Sequence, residues 1–260
     1  MTVLDELVAG ALADASVRES RLPMSELEAL LPSTPTLNPM PAFQAPGISV
    51  IAEVKRSSPS KGRLASIDDP AGLAESYQTG GASAISVLTE ERRFSGSLAD
   101  LDAVRARVNI PVLRKDFLTT RYQLLEARVH GADLALLIAG ALSDAELRAL
   151  HSYCEELGLT PLVEVHTIDE AHRVVDLGAV LVGVNNRDLR TLSVDLAHFA
   201  PMRAILPEDV TVVAESGILS PKDVRRVADE GADVILVGEA LVVSGEPITT
   251  LGQFIESGAA

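Results

Sequence analysis

Several residue types that mark other classes of protein are scarce or absent in this 260-residue chain. There is no tryptophan, and the single cysteine, Cys154, cannot form an internal disulfide. The longest run without a polar or charged side chain, residues 134–142, is nine residues long, well short of the roughly 20 that cross a bilayer. Asp5 and Glu6 stand where a secretory signal would carry positive charge. We therefore expect a cytoplasmic protein with no membrane partner.

Positive charge is also in short supply. The chain has 22 Lys and Arg against 37 Asp and Glu, which gives a net charge of −15. Any attraction to nucleic acid would need a local basic patch that works against this overall field, and no such patch stands out. A nucleic-acid partner is therefore not expected.

A repeated pattern is present instead: an apolar run, a polar loop and an amphipathic helical segment. Ser97, Ser143 and Ser220 open helical segments, where a hydroxyl can cap exposed N–H groups. Glycines that tolerate positive φ follow other segments, at Gly81, Gly131, Gly158, Gly178 and Gly231. The eight apolar runs cover residues 48–55, 84–90, 111–117, 134–138, 161–166, 181–189, 210–217 and 234–238.

Eight alternating strand–helix units within about 190 residues predict a closed α/β barrel, the (β/α)8 or TIM barrel. A doubly wound open sheet is the competing fold, but the loop after the first run, residues 55–62, lacks the G-x-G-x-x-G pattern of that fold. We expect the barrel domain to span residues 48–260. Residues 1–47 form an N-terminal extension with helical patterns near Leu4–Leu12 and Met24–Leu31, followed by a proline-rich connector that should not hold a regular helix. This extension either plugs or flanks the barrel or helps to cover its active-site mouth.

Charged residues recur on one face of the predicted strands, close to their C-terminal ends. In a TIM barrel those ends build the site, and side chains alternate between the inner and outer face of each strand. Glu53 shares a face with Lys55, and Lys115 shares one with Leu113 and Phe117; Glu164, Asn185 with Arg187, and Glu215 occupy matching positions. We name Glu53, Lys55, Lys115, Glu164, Arg187 and Glu215 the charged ring. Internal ion pairs that fasten the barrel are one interpretation, but branched apolar side chains would stabilise it better, which favours a polar reaction chamber.

The loops after the last two strands predict a phosphate site. They contain Ser216 with Gly217 and Gly238 with Glu239, and glycine allows backbone N–H groups to approach an anion. Other chemistries find less support. The five histidines show no metal-ligand spacing, Ser216 lacks a hydrolase G-x-S-x-G frame, and Cys154 lies in an amphipathic segment typical of a core thiol. His166 either adjoins the chamber or caps a strand end.

Taken together, the motifs resemble the indole-3-glycerol phosphate synthase family of tryptophan biosynthesis. The resemblance covers essentially the whole chain and rests on IAEVKRSSPSKG over 51–62, LRKDF over 113–117, LVEVH over 162–166, GVNNRDL over 183–189 and AESGI over 214–218. It implies that 1-(2-carboxyphenylamino)-1-deoxyribulose 5-phosphate is closed to an indole with loss of carbon dioxide and water. No metal or organic cofactor is implied. The chain departs from the usual family pattern at Gly140 and Ser193, neither of which is a proposed catalytic group.

The resemblance also implies roles for single residues. Lys115 corresponds to the family's general acid and Glu164 to its general base, and Lys55 could supply the acid of the dehydration step instead. Protonation of the ketone oxygen suits an ammonium whose pKa is lowered by neighbouring cations, and we expect this of Lys115. Further catalytic positions are Glu53, Lys55, Asn185, Glu215 and Ser216. An apolar slot for the anthranilate ring would comprise Phe94, Phe117, Leu136, Leu189 and Leu236. The remaining substrate-binding positions are Ser58, Pro59 and Ser60 on the first loop, Arg187, and the phosphate-binding Gly217, Gly238 and Glu239.

Two other functions compete with this one. A ketose isomerase of the same pathway would share the phosphate site, but it typically works with a Cys or Asp acid/base pair and not with two lysines. A non-catalytic phosphate-binding module would not need the charged ring. The only partner expected is a phosphorylated small molecule, and we expect a monomer or at most a weak oligomer.

Overall fold

Eight parallel strands close into a barrel in the part of the chain that the computed structural model describes, residues 2–58, 62–64, 67–188 and 191–259. Each strand pairs with the next one along the chain, and the last pairs with the first. The predicted (β/α)8 barrel is confirmed, and the open sheet is excluded. The strands are β1 Ser49–Val54, β2 Ala84–Leu88, β3 Val112–Lys115, β4 Leu134–Ile138, β5 Thr160–Val165, β6 Leu181–Asn185, β7 Thr211–Glu215 and β8 Val234–Val237.

Helices follow the strands and cover the outside of the barrel. The predicted caps are present, because the side chains of Ser97, Ser143 and Ser220 each accept a hydrogen bond from a first-turn N–H group. The five glycines predicted to end helical segments all have positive φ. The helices of the barrel are α4 Pro70–Thr79, α5 Leu98–Arg107, α6 Arg121–Val129, α7 Asp144–Glu156, α8 Ile168–Leu177, α9 Phe199–Arg203, α10 Pro221–Asp229, α11 Glu239–Val243 and α12 Pro247–Ser257.

Alternation along each strand produces two apolar layers. Val50, Ala52 and Val54 of β1 belong to the layer between strands and helices, whereas Ile51 belongs to the cluster inside the barrel. The predicted runs continue past the observed strands at several C-terminal ends; the first run ends at Lys55, but β1 ends at Val54. There the chain leaves the barrel wall to form loops. A short hairpin pairs Ser57–Ser58 with Gly62–Arg63 in the loop after β1.

The N-terminal extension reaches both ends of the barrel. Helix α1, Val3–Arg21, begins with a capping box at Thr2, and its Leu7 lines the cavity at the C-terminal end of the strands. Helix α2 is Met24–Glu28 and α3 is Met40–Phe43. Phe43 of α3 is fully buried and packs into the cluster inside the barrel, to which Ile51 of β1 also belongs. Both interpretations of the extension therefore apply, because one segment plugs the barrel and another lines its mouth.

One expectation for the extension is wrong. The proline-rich connector was predicted to hold no regular helix, yet α3 forms one helical turn within it. Pro39 is the N-cap residue of this turn, and Pro41 lies in its first turn. Proline is tolerated there because the first N–H groups of a helix have no intrahelical partner to lose.

No helix within the described ranges is long and apolar enough to cross a membrane.

Candidate active site

The charged ring lies at the C-terminal end of the barrel, on the inner face of the strands. Glu53 is the penultimate residue of β1 and Glu164 that of β5, whereas Lys115, Asn185 and Glu215 are the last residues of β3, β6 and β7. Their neighbours two positions earlier on β1, β3, β5, β6 and β7 are Ile51, Leu113, Leu162, Gly183 and Val213, and the four apolar side chains among them belong to the inner cluster. The predicted inward orientation is confirmed. Charge is thus held above a floor of packed apolar side chains.

Lys115 is the centre of the ring's ion pairs. Its Nζ lies 2.6 Å from Glu215 Oε2, 3.6 Å from Glu53 Oε1 and 3.9 Å from Glu164 Oε2. Lys55 forms an ion pair with the other oxygen of Glu53. The three carboxylates are at most 3% exposed. An ammonium surrounded by three buried carboxylates leaves each of them only partly neutralised, so their protonation states depend on one another.

The electrostatics of Lys115 differ from our expectation. We expected neighbouring cations to lower its pKa, and this is wrong. Burial opposes its charge, but Glu215, Glu53 and Glu164 outweigh burial and raise the pKa of Lys115. The side chain is therefore an ammonium throughout the neutral range, so the proton that it would donate is present.

Two neighbouring carboxyl groups are pushed in opposite directions. Burial raises the pKa of Glu215, with the charge of Glu164 adding to it and that of Lys115 opposing. Burial also acts on Glu164, but His166 and Lys115 hold the pKa of Glu164 well below its usual range. A pair of acids with divergent pKa values is typical of acid–base sites. Glu164 is accordingly the ionised member of the pair and Glu215 the one that retains a proton most readily.

Apolar side chains line the same cavity as the charged ring. Phe94, Phe117, Leu136 and Leu236 line it as predicted, and the rings of Phe94 and Phe117 lie 6.2 Å apart. The buried carboxylate of Glu90 accepts hydrogen bonds from the backbone N–H groups of Arg92, Arg93 and Phe94, which holds the loop that carries Phe94. Sequence analysis missed further lining residues: Leu7, Leu88, Asp116, Ile138, Leu192, Ile218, Leu219 and Val237. For Leu7 the signal was the apolar face of the N-terminal helical pattern.

The predicted phosphate loops border the same cavity. Ser216 and Gly217 have φ values of 63° and 81°, so both lie in the left-handed region, and both line the cavity. Gly238 precedes α11 and packs against Glu53, since a Cβ there would come 2.9 Å from Glu53 Oε2. Glu239 begins α11 and lines the cavity together with Arg187. Burial lowers the pKa of Arg187 and the carboxylate of Glu239 opposes this effect, so the two side chains act on each other.

Some predicted site residues have no structural account. Pro59, Ser60 and Leu189 lie outside the described residues. Ser58 is described only through its backbone, which pairs with Gly62. Every other predicted site residue except Glu215 lines the cavity, and Glu215 lies fully buried behind Lys115.

A polar layer that the sequence did not reveal supports the site from outside β3. The fully buried Arg114 donates hydrogen bonds to Thr89 Oγ1, the Gln123 carbonyl and Glu126 Oε2, and it lies 3.3 Å from Asp116 Oδ2. Arg18 of α1 binds the same Glu126 carboxylate at 2.7 and 3.0 Å. Arg114 lies between Leu113 and Lys115, which both face inward, so the alternation of side chains along β3 predicts that Arg114 faces outward. The layer ties the backbone on both sides of Lys115 to α6 and to the N-terminal extension.

The remaining sequence alternatives are resolved by burial. Cys154 is fully buried among apolar side chains, and burial raises the pKa of its thiol to about 12, as a core thiol requires. Within the described ranges, no three His, Cys, Asp or Glu side chains form a group that could hold a metal ion. His166 does adjoin the chamber, because its Nε2 lies 3.1 Å from Glu164 Oε1.

The barrel, with ionisable side chains converging at its C-terminal end beside an apolar wall, defines a TIM-barrel enzyme for a small anionic substrate. The family model described as indole-3-glycerol phosphate synthase matches residues 4–251. The chain is 58% identical over 248 residues to the indole-3-glycerol phosphate synthase of Nocardioides sp., covering 95% of each chain. It is 54% identical over 259 residues to indole-3-glycerol phosphate synthase 1 of Streptomyces coelicolor, covering 99% of this chain and 96% of that one. The chain belongs to the indole-3-glycerol phosphate synthase family.

A solved structure of lower similarity agrees in fold alone. The 3-hexulose-6-phosphate synthase from Salmonella typhimurium superposes with a TM-score of 0.66 at 13% identity, covering 81% of this chain and 98% of that one.

Family membership gives the activity: the enzyme is a carboxy-lyase of tryptophan biosynthesis that converts 1-(2-carboxyphenylamino)-1-deoxyribulose 5-phosphate to indole-3-glycerol phosphate. Its substrate is thus a phosphorylated small molecule.

Proposed function

We propose that the charged ring performs the three stages of this reaction, with Lys115 as the general acid of ring closure. The observation that carries the proposal is the position of Lys115 Nζ, which lies within 4.0 Å of three buried carboxylates and borders a cavity that Phe94 and Phe117 also line. Carbon–carbon bond formation places negative charge on the ketone oxygen, and an adjacent ammonium can donate a proton to it. Phe94 and Phe117 offer the apolar surface on which the anthranilate ring would rest.

The later stages need a carboxylate anchor, a base and a second acid. Lys55 supplies positive charge for the substrate carboxylate until carbon dioxide leaves. An acid then protonates the hydroxyl group so that it leaves as water, and Glu164 removes a proton from the resulting cation, which makes the new ring aromatic. Its low pKa makes it a weak base, but a weak base is sufficient because the proton is lost from a cationic, non-aromatic intermediate. Either Lys115 or Lys55 supplies the acid of this dehydration.

The roles of the other site residues follow from their contacts. Glu53 and Glu215 hold the two lysines in place, and Asn185 fixes Arg187, whose backbone N–H donates to Asn185 Oδ1. The N–H groups near Gly217 and Gly238 would bind the phosphate, with Ser216 completing that loop. This phosphate remains distant from the reacting atoms, so its binding energy serves to position the ketone. We further propose that the enzyme acts in the cytoplasm as a monomer or weak oligomer.

The absence of tryptophan makes the test direct. Indole formation from authentic substrate should appear as growing indole-type fluorescence over a weak tyrosine background, in buffer that contains a chelator. Lys115→Met should lower turnover at least about 100-fold while substrate affinity stays within about tenfold, since a transition-state donor contributes more to rate than to ground-state binding. Lys222→Met, at an exposed lysine of α10, is the matched control.

Two outcomes would favour the competing functions. No indole emission from the folded, unaltered enzyme would promote the isomerase or the binding module. Near-normal turnover by Lys115→Met would remove this lysine from the acid role. The observation against the isomerase is that two lysines, Lys55 and Lys115, line the cavity, whereas Cys154 is fully buried in the core.

A further inference from the structure

His166 lies directly behind the proposed base. It follows β5 by one residue, and its Nε2 lies 3.1 Å from Glu164 Oε1. On its other side, Nδ1 lies 3.5 Å from Glu170 Oε2. The imidazole is only 8% exposed, so it is enclosed between two carboxylates at the back of the cavity wall. It is not among the residues that line the cavity.

The second carboxylate is fixed by the local fold. Glu170 lies in the first turn of α8, and its backbone N–H donates to the capping Thr167 Oγ1. The same Glu170 Oε2 accepts a hydrogen bond of 2.8 Å from the backbone N–H of His166. Glu170 is therefore held in place independently of the imidazole, and it presents its carboxylate to Nδ1.

The distribution of carboxylates and cations around Glu164 indicates a role for His166. Glu53, Glu164 and Glu215 supply three carboxyl groups, and the ion pairs that the lysines of the ring form with them within the described ranges are those of Lys55 with Glu53 and of Lys115 with all three. Lys115 is shared, with its shortest contact to Glu215 and its longest to Glu164. The contact of Glu164 with Lys115 is the longest of the three, so without His166 its carboxylate would lose its nearest positive charge and would take up a proton more readily. A protonated Glu164 could not act as a base.

We propose that His166 is a positioning residue for the base: an imidazolium, held by Glu170, that keeps the Glu164 carboxylate ionised and oriented toward the cavity. The inference rests on the proposed role of Glu164. Burial alone would lower the pKa of His166, but the two carboxylates that face it raise this pKa to about 10, in agreement with a permanent cation. The groups that act on Glu164 from the other strands are Lys115 of β3, Glu215 of β7 and Glu53 of β1.

The test is the pH dependence of kcat for His166→Gln. Turnover requires ionised Glu164, so kcat of the unaltered enzyme should stay high down to the low pH at which this carboxylate is protonated. Glutamine has no charge, so the pKa of Glu164 should rise. We expect kcat near neutral pH to fall at least about tenfold and the acid limb of the kcat profile to move up by about one pH unit or more, with KM within about threefold.

A matched control exists in the same chain. His151 of α7 is also buried, and it also has a glutamate four residues later, with Nδ1 3.7 Å from Glu155 Oε2. It is remote from the cavity lining. His151→Gln should lower stability in a similar way but leave the acid limb in place. A merely structural role for His166 predicts the same behaviour in both variants, and that result would overturn the proposal.

Glu170→Gln provides a second measurement if His166→Gln does not fold. It keeps the imidazole but removes the carboxylate that holds it, so the acid limb should move in the same direction by a smaller amount. An unmoved limb in a folded Glu170→Gln enzyme would contradict the proposal. Failure of the proposed function would look different, because Glu164→Gln would then retain normal turnover or the unaltered enzyme would form no indole.

Discussion

Gly183 in β6 leads to the most specific expectation for the site. It faces the inside of the barrel beside Glu215, and a Cβ built on Gly183 would come 2.2 Å from Glu215 Oε1. Ordinary contact begins near 3.4 Å, so this oxygen would have to retreat by about 1.2 Å, the difference between the two distances. The same carboxyl group holds Lys115 Nζ at 2.6 Å through its other oxygen. Gly183→Ala should therefore displace the proposed acid without touching the substrate.

The size of the effect follows from the displacement. A shift of about 1 Å in a catalytic group costs roughly 100-fold in rate, so kcat should fall by about this factor. Overpacking of a buried site costs about 1–3 kcal/mol of unfolding free energy. Steady-state indole fluorescence would measure the first quantity and urea unfolding the second. KM should change less than kcat, since the clash displaces the side chain of Glu215, whereas the proposed phosphate site uses backbone N–H groups of the loops that follow β7 and β8.

Two further variants separate this explanation from a general effect of alanine. A Cβ added at Gly252 in α12 would meet no atom within 4 Å, so Gly252→Ala should be neutral or slightly stabilising. Glu215→Asp shortens the carboxyl side chain by one methylene and removes the clash. In that background Gly183→Ala should cost far less stability than in the unaltered enzyme. Turnover by Gly183→Ala within about threefold of normal, or additive losses in the double variant, would refute the reasoning.

Three other expectations concern the plug, the outer polar layer and the phosphate. Phe43→Ala removes a fully buried ring from the barrel floor and should cost about 3–5 kcal/mol in urea unfolding; a loss below about 1 kcal/mol would argue against the plug. Glu126→Gln leaves the buried Arg114 short of a countercharge and should cost about 3 kcal/mol at neutral pH. Burial raises the pKa of Glu126, but Arg114 and Arg18 outweigh burial and lower this pKa from 4.5. The stabilisation that ionised Glu126 provides is therefore present above pH 4.5 and is lost as the pH falls through the folded-state pKa. The difference in unfolding free energy between Glu126→Gln and the unaltered enzyme should narrow on acidification, and a constant difference would contradict this expectation. A dephosphorylated substrate should lose much of its kcat/KM in the fluorescence assay, and unchanged turnover would separate the loops near Gly217 and Gly238 from catalysis.

Periodicity predicted the barrel and the inward face of each strand because both depend on local rules. A buried parallel strand alternates its side chains, so Glu53 and Lys115 could be assigned to the interior from their spacing to Ile51 and Leu113 alone. Helix caps such as Ser97 could also be predicted from the sequence. The C-terminal ends of the strands were harder to predict, because Lys55 continues the side-chain alternation of β1 although the strand has already ended at Val54.

The rest of the site depends on which residues meet in three dimensions. Nothing local shows that Lys115 contacts carboxylates from three other strands, and this is why the direction of its pKa shift was predicted wrongly. Leu7 lines the cavity from more than 80 residues before Leu88, and Arg114 binds Glu126 through the outer face of its strand. Such contacts follow only from the closed barrel, since sequence spacing carries no information about them.

The ion pair between Lys55 and Glu53 suggests how a strongly acidic chain releases the product of an anionic substrate. The proposed role of Lys55 requires it to bind the substrate carboxylate, in competition with Glu53. When that carboxylate leaves as carbon dioxide, Lys55 loses its substrate partner and the pair with Glu53 forms again. The product, with one negative charge fewer, no longer draws on this lysine. The reaction itself thereby removes one interaction that holds the substrate in the cavity. On this argument, substrate binding and product release depend on the ion pairs of Lys55 in the cavity and not on the net charge of −15.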